Sequence, residues 1–370
     1  MPLTLGVLGA GQLGRMLALA GYPLGLRFRF LDPAPEAPAG QLAEHLAAEY
    51  TDERAWAAFA DGLAAITYEF ENVPVTAARA LAERVPVYPP PAALEAAQDR
   101  LSEKRLFQEL GLPTPACAPV ATRAELEAAL AALGWPAVLK TRRLGYDGKG
   151  QALLRAPADV EPAWRALAGV PLILEAFIPF ERELSLLAVR GRSGETAFYP
   201  LVETHHRDGI LRLSVVVPGA TASADQRQAE DYAARVLRRL DYVGVLAIEF
   251  FQHNGRLLAN EMAPRVHNSG HWTIEGALTS QFENHLRAVL GWPLGAAAAR
   301  GPAAMLNLIG DTPAPEAVLR VPGAHLHLYG KAPRPGRKLG HLTVCAETPE
   351  ALAERLAVLR PLAGFPAELQ

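Results

Sequence analysis

The sequence predicts a mixed molecule: an α/β front domain on a parallel sheet, then α+β regions, with three observations carrying that expectation. Short apolar runs alternate with helix-like stretches from Leu3 to Tyr88, the pattern of parallel strands joined by crossover helices. A triple proline, Pro89–Pro91, stops the alternation. Beyond it, glycine-rich loops and hairpin turns separate the apolar runs. At about 150 residues per domain the chain suggests two or three domains, with expected limits 1–100, 101–292 and 293–370.

The elements follow in order. An apolar run, Leu3–Gly9, leads into Gly9-Ala10-Gly11-Gln12-Leu13-Gly14 and a helix from Arg15. A second strand, Leu26–Leu31, closes on Asp32, and 33–40 reads as a loop. Helices are expected over Gln41–Ala48, Arg54–Ala60 and Thr76–Arg84, and strands over Leu63–Tyr68 and Val85–Tyr88. In the middle region a helix covers Leu94–Leu110, stopped by Gly111 and Pro113, and another covers Glu125–Leu133. Strands Ala137–Lys140 and Gln151–Leu154 flank a glycine-rich loop, Leu172–Phe177 reads as a buried strand, and Glu183–Val189 and Gly209–Val217 are extended. Ser223 and Gln226 have capping-box spacing ahead of a helix Gln226–Leu240. Val243–Phe251 and Arg256–Met262 form a hairpin around Asn254-Gly255, and a helix near Gly276–Leu290 ends at Gly291. The remainder, from the Ala-rich stretch at 293–304, reads as a small mixed domain.

Composition narrows the function classes. A formal net charge of −3 with no basic stripe argues against nucleic acid as partner. No apolar run is as long as a membrane span, and the opening lacks a signal peptide's basic start. Two cysteines without metal-knuckle spacing, Cys117 and Cys345, suit free thiols in a reducing cytoplasm. Of 36 basic residues only five are lysine: Lys104, Lys140, Lys149, Lys331 and Lys338. Four of these fall in two glycine-containing stretches, 140–150 and 329–341. The ammonium is a compact point charge suited to a crowded phosphate site, so the clustering says where to look.

Three motifs carry candidate chemistry. The GxGxxG at 9–14, between strand and helix, lets backbone approach a phosphate at a helix N-terminus. Read alone it is the dinucleotide fingerprint of an NAD-dependent dehydrogenase, or a tight packing turn. The alternation stops after about four strands, so a phosphate is expected here and a dinucleotide is not. The stretch Val138–Gln151 has two strands flanking a loop with three glycines, which would carry N–H groups and Lys149 over an anion beside Lys140. It lacks the GK[ST]–helix ending of a Walker motif. Glu249 and Asn260-Glu261 flank one hairpin, where carboxylates on one face would suit Mg²⁺ shared with phosphates. A two-residue loop at Asn254-Gly255 would oppose Glu249 to Asn260, whereas a three-residue loop or a bulge puts both glutamates on one face. Glu175-Ala176-Phe177-Ile178 followed by Glu183 could line an adenine pocket. His325 and His327 read as ordinary strand histidines, because no third metal ligand lies near.

In this order the pieces resemble the ATP-grasp superfamily, and within it the N5-carboxyaminoimidazole ribonucleotide synthetases. The strings that carry the resemblance are GAGQLGRM (9–16), TYEFENVP (67–74), GYDGKGQ (145–151), NEMAPRVHNSGHWT (260–273) and YGKAPRPGRKLGH (329–341). The resemblance implies an ATP-grasp fold with a Rossmann-like front domain and a small C-terminal domain completing the site. It implies a ligase that uses ATP and bicarbonate to carboxylate aminoimidazole ribonucleotide through carboxyphosphate, in purine synthesis. It also implies two Mg²⁺ ions (Mn²⁺ as substitute) on Glu249 and Glu261, a cytoplasmic homodimer, and product hand-off to the next mutase. For ATP the expected contacts are Arg100, Lys140, Gly145, Tyr146, Asp147, Gly148, Lys149, Gly150, Gln151, the segment Glu175, Ala176, Phe177 and Ile178, then Glu183, His206, Asn260 and Glu261. For the ribonucleotide and carboxyphosphate they are Gly11, Gln12, Leu13, Glu71, Tyr146, Asp147, Arg265, His267, Asn268, Ser269, Lys331, Arg337 and Lys338. Catalysis is expected of Arg265, His267, Asn268 and Lys140. Where relatives often read Glu-Asn-x-His, this chain has Glu203-Thr204-His205-His206, which leaves the place of His205 open. The alternatives are a sister ATP-grasp ligase, of glycinamide ribonucleotide transformylase or biotin carboxylase type, and the dehydrogenase.

Overall fold

The computed structural model describes residues 2–145, 148–217 and 219–365. Four parallel strands, β1 (Thr4–Leu8), β2 (Arg27–Asp32), β3 (Glu44–Ala47) and β4 (Ala65–Tyr68), form a front sheet in the order β3-β2-β1-β4. Helices α1 (Gln12–Gly21), α2 (Glu53–Ala60) and α3 (Val75–Ala82) accompany it. The sheet has the expected number of strands but a different membership. The Gln41–Ala48 stretch is not helical; Glu44–Ala47 joins the free edge of β2, where the Arg29 guanidinium meets the Glu44 carboxylate at 2.7 Å. An open sheet edge offers backbone partners that a short, weakly amphipathic helix cannot match. Val85–Tyr88 contributes only a single bridge, Ile66 to Val87.

The helix expected over Leu94–Leu110 is two helices, α4 (Pro91–Ala97) and α5 (Arg100–Glu109). Asp99 makes the break by capping α5, accepting from the Leu101 N–H at 3.0 Å. Strands β5 (Cys117–Val120), β6 (Ala137–Thr141), β7 (Gln151–Leu154) and β8 (Leu172–Ala176) make an antiparallel sheet β5-β8-β6-β7. Helices α6 (Arg123–Leu133) and α7 (Val160–Leu167) pack on it, and the glycine-rich loop joins β6 to β7.

The largest sheet has nine strands. They are β9 (Arg182–Arg190), β10 (Thr196–Phe198), β11 (Val202–Arg207), β12 (Ile210–Val216), β13 (Gly244–His253), β14 (Arg256–Ala263), β15 (Ala303–Ile309), β16 (Ala324–Leu328) and β17 (Lys338–Cys345). The order is β14-β13-β9-β11-β12-β15-β17-β16, with β10 against β9, so the C-terminal residues extend the sheet begun by the middle ones. Around it lie α8 (Ala224–Arg239), α9 (Thr273–Gly276), α10 (Gln281–Leu290), α11 (Pro315–Leu319) and α12 (Pro349–Leu362). Ser223 caps α8, but the Gln226 side chain bonds Leu201 and Tyr199 backbone instead of closing a capping box. The helix read near Gly276–Leu290 starts at Gln281, where Ser280 caps it. One apolar core crosses these regions: Leu17 and Phe28 of the front pack with Val245, Phe282, Leu286 and Met305. Among the described residues no helix is long and apolar enough to cross a membrane.

Candidate active site

The β13–β14 hairpin takes one of the two forms that unite its glutamates. Its turn is two residues, Asn254-Gly255, both in the left-handed region (φ 51° and 68°), as a tight hairpin requires. The register then slips between Glu249 and Phe250: Phe250 faces Ala259 while Glu249 faces Glu261, so Asn260 is the extra residue of a bulge. Directly opposed residues share a face with Cβ atoms about 5 Å apart. Burial, then the neighbouring Glu261 charge, pushes the Glu249 carboxyl above its ordinary range. Burial would raise Glu261 too, but the Arg100 guanidinium, 2.7 Å away, holds it low.

These carboxylates offer hard oxygen donors of the kind Mg²⁺ takes. The Asn260 Oδ1 beside them is buried and has no hydrogen-bond partner among the described residues. The residues therefore fit a divalent cation. Among the described residues no three His, Cys, Asp or Glu side chains converge, so such an ion would take further ligands from phosphates and water.

Two cavities meet at this pair. One, about 230 Å³, is lined by Lys140, Gln151, Glu175–Ile178, Glu183, His206 and Asn260, with Phe180 and Phe251 stacked at 4.9 Å on its wall. The other, about 530 Å³, is lined by Gln12, Leu13, Glu71, Arg265, His267, Asn268, Lys331, Arg337 and Lys338. Arg100, Lys149, Glu249 and Glu261 line both. Gly148 lies in the first and Gly145 in the second, so the loop after β6 spans the junction. Gly150 lies in the same loop with its φ at 72°, while Tyr146 and Asp147 lie outside the described residues.

Most of these side chains are held by one another. In the smaller cavity Lys140 donates to Glu175 at 2.7 Å, and burial notwithstanding, Lys140 and Lys104 keep that carboxylate low. The Glu175 side chain is thus spent inside the protein, and the Ala176 and Phe177 N–H groups bond the Ala116 and Pro136 carbonyls. His206 Nδ1 meets Glu183 at 2.9 Å; burial opposes charging this imidazole, but the carboxylate raises its pKa overall. A register slip between His205 and His206 turns the exposed His205 toward Glu203 instead, at 3.3 Å, so it does not compete with His206.

In the larger cavity Arg265 is ion-paired with Glu71, and Lys331 donates to Gln12, tying the C-terminal region to the front loop. Asn268 and Asn307 exchange amide hydrogen bonds at 3.0 and 2.7 Å. The His267 Nδ1 accepts from the Ser269 N–H, leaving the proton on Nε2, which points to Glu249 at 3.7 Å. Burial and then Arg265 pull its pKa down to about 3, so the ring is neutral. Ser269, expected among the substrate contacts, faces inward in this structure. It is fully buried, bonds the Ser185 hydroxyl and His267 Nδ1 at 2.8 Å, and lines neither cavity.

Gly11 is likewise engaged within the protein. Its N–H and that of Gly14 donate to the Glu69 carboxylate at 2.6 and 2.9 Å, and Asp32 accepts from Ala10 at 2.9 Å. The anion at this helix N-terminus is the protein's own; Gln12 and Leu13 are the loop residues that reach the cavity. Glu69 was invisible to motif reading, although it sits inside the TYEFENVP string.

The architecture and the paired carboxylates between two cavities define an ATP-grasp ligase, and the comparisons agree. The ATP-grasp domain model matches residues 105–282, the ribonucleotide synthetase preATP-grasp model residues 2–98, and the phosphoribosylaminoimidazole carboxylase C-terminal model residues 303–355. The N5-carboxyaminoimidazole ribonucleotide synthase of Pseudomonas aeruginosa is 56% identical over 360 residues, covering 97% of this chain and 99% of its own. The crystal structure of the synthetase from Thermus thermophilus superposes with TM-score 0.93 at 63% identity, covering 97% of this chain and 98% of that one. The Aspergillus clavatus enzyme, solved with ADP and aminoimidazole ribonucleotide, gives TM-score 0.89 at 33% identity, covering 98% of each chain. The chain belongs to the N5-carboxyaminoimidazole ribonucleotide synthase family.

Proposed function

We infer that this ligase uses ATP to join bicarbonate to 5-aminoimidazole ribonucleotide, giving N5-carboxyaminoimidazole ribonucleotide, ADP and phosphate, a step of purine synthesis. The observation that carries the reading is the meeting of two cavities at Glu249 and Glu261, with Arg100 and Lys149 in both walls. ATP fits the smaller one. Phe177, Phe180 and Phe251 offer apolar surface to adenine, the Ala176 backbone serves as wall, Ile178 borders the base, and the Glu183–His206 pair binds ribose. Lys140, Lys149 and the backbone of Gly145, Gly148 and Gly150 hold the phosphates. Phosphoryl transfer is mainly positioning and charge neutralisation. Mg²⁺ held by Glu249, Glu261 and Asn260 would supply Lewis-acid neutralisation of the phosphates.

The ribonucleotide takes the larger cavity, with its phosphate near Gln12 and Leu13 and its ribose and base near Glu71, Arg337 and Lys338. Bicarbonate oxygen attacks the γ-phosphorus and ADP leaves. The substrate's exocyclic nitrogen then attacks the carboxyl carbon of carboxyphosphate, the C–O bond to phosphorus breaks, and phosphate departs as the amine loses a proton. Arg265 supplies charge to these anions. His267, which burial keeps neutral near pH 7, supplies the Nε2–H as a donor. We propose the domain limits 1–100, 101–292 and 293–370, a cytoplasmic homodimer and hand-off to the following mutase as parts of the same reading. Phosphate release from ATP, Mg²⁺ and bicarbonate, with and without aminoimidazole ribonucleotide, tests it. The ribonucleotide should stimulate release strongly; release indifferent to both bicarbonate and ribonucleotide sinks the assignment.

A further inference from the structure

The bulge that brings Glu249 and Glu261 together lies on β14, an edge strand whose outer side has no neighbouring strand among the described residues. Helix α5 covers that edge. Arg100, Glu103 and Lys104, spaced i, i+3 and i+4, share one helix face. Glu103 accepts from the Met262 N–H at 2.6 Å, and Lys104 donates to the Asn260 carbonyl at 2.5 Å. Arg100 holds the Glu261 carboxylate between them. Two side chains thus do for residues 260 and 262 what a strand's backbone would do. Both are buried, Glu103 2% and Lys104 1% exposed.

Ionisable groups so deeply buried are a poor way to stabilise a fold, because desolvation is costly and apolar residues often serve as well. What they give here is direction: an acceptor and a donor fixed on either side of one metal-facing carboxylate. A one-residue shift of the bulge along the strand would send Glu261 to the other face.

We propose that Glu103 and Lys104 are positioning residues that lock the Asn260 bulge and thereby hold Glu249 and Glu261 at the spacing that binds the metal–nucleotide. The inference rests on the metal reading of that pair. Lys104→Met and Glu103→Met keep the stems and remove the polar ends, while Glu103→Gln keeps an acceptor oxygen for Met262. Two readouts apply: backbone amide exchange across 259–263 in metal-free, nucleotide-free protein, and Mn²⁺ affinity with ADP present. Both Met variants should speed exchange and weaken Mn²⁺ binding by about tenfold or more, the loss of one hydrogen bond to a charged group. The Michaelis constant for aminoimidazole ribonucleotide should hold in Lys104→Met, and Glu103→Gln should stay near the parent in both readouts. Parent-like exchange and Mn²⁺ affinity in the Met variants overturn the proposal. So does loss of a cooperative melt in both, which would make the contacts structural. Glu261→Gln separates the two levels. If it still turns over ATP, the metal reading fails; if it is inert while the Met variants bind Mn²⁺ normally, only this inference fails.

Discussion

At the scale of single residues, the paired carboxylates carry the sharpest expectation. Glu249→Gln or Glu261→Gln should abolish ATP turnover with the fold intact, since each loses an anionic oxygen facing the phosphates; near-parental phosphate release from either purified protein would refute the metal assignment. His267 and Lys331 should divide the reaction. His267 faces Glu249, so His267→Ala should depress carboxyphosphate formation, and phosphate release and carboxylation should fall together. Lys331 reaches Gln12 from the C-terminal region, so Lys331→Ala should mainly raise the ribonucleotide's KM, by roughly tenfold or more for one charge-assisted contact. Background hydrolysis with bicarbonate alone should survive in Lys331→Ala; if it vanishes there and persists in His267→Ala, the division is reversed. Residues of this kind were legible because rare types stand together in short strings. Lys104 was not, although it was one of only five lysines. Its meaning depends on a helix face meeting an edge strand more than 150 residues further on, where it donates to Asn260. Ser269 shows the reverse: it stands inside a substrate-like string but faces inward, bonded to Ser185.

At the scale of elements, strands that alternate with helices or end in a glycine turn read off the sequence well, and β7 (Gln151–Leu154) has the expected limits. What failed depended on partners. Glu44–Ala47 became a strand because β2 offered an edge, and the long helix after Pro91 broke because the Asp99 side chain caps a new one while accepting both Arg142 donors, at 3.0 and 2.7 Å. The first element of the front sheet carries its own prediction. Its GxGxxG loop has spent the Gly11 and Gly14 N–H groups on Glu69, and Asp32, the residue that would grip a dinucleotide ribose, is held by Ala10 and Tyr50. With four parallel strands and, among the described residues, no second nucleotide half, the chain should not bind NAD or NADP. Calorimetry should register no heat of binding; tight binding competed away by Gly11→Val would overturn the expectation.

At the scale of the whole molecule, the front sheet is fastened to the large one partly through His285 of α10. The Val245 N–H of β13 donates to its Nδ1 at 3.1 Å, so the ring proton sits on Nε2 and is donated to Thr67 of β4 at 2.8 Å. The ring is wholly buried, and burial pulls its pKa down to about 3. In the unfolded chain the same group titrates near about 6.5. Below that pH the unfolded chain binds a proton the folded one refuses, so stability present above about 6.5 is lost as pH falls toward about 3, at roughly 1.4 kcal/mol per pH unit. His267, His271 and His341 are depressed in the same sense by burial, while Glu69, Glu103 and Glu249 are raised and titrate in the opposite one. A bare pH profile therefore mixes both. His285→Gln isolates the single group, because its amide can keep an acceptor for Val245 and a donor for Thr67 yet cannot titrate. The parent should exceed this variant in unfolding free energy by about 2 kcal/mol less at pH 5 than at pH 7, read from urea midpoints. Parallel curves for the two proteins would mean that His285 is not the acid-sensitive fastener between the sheets.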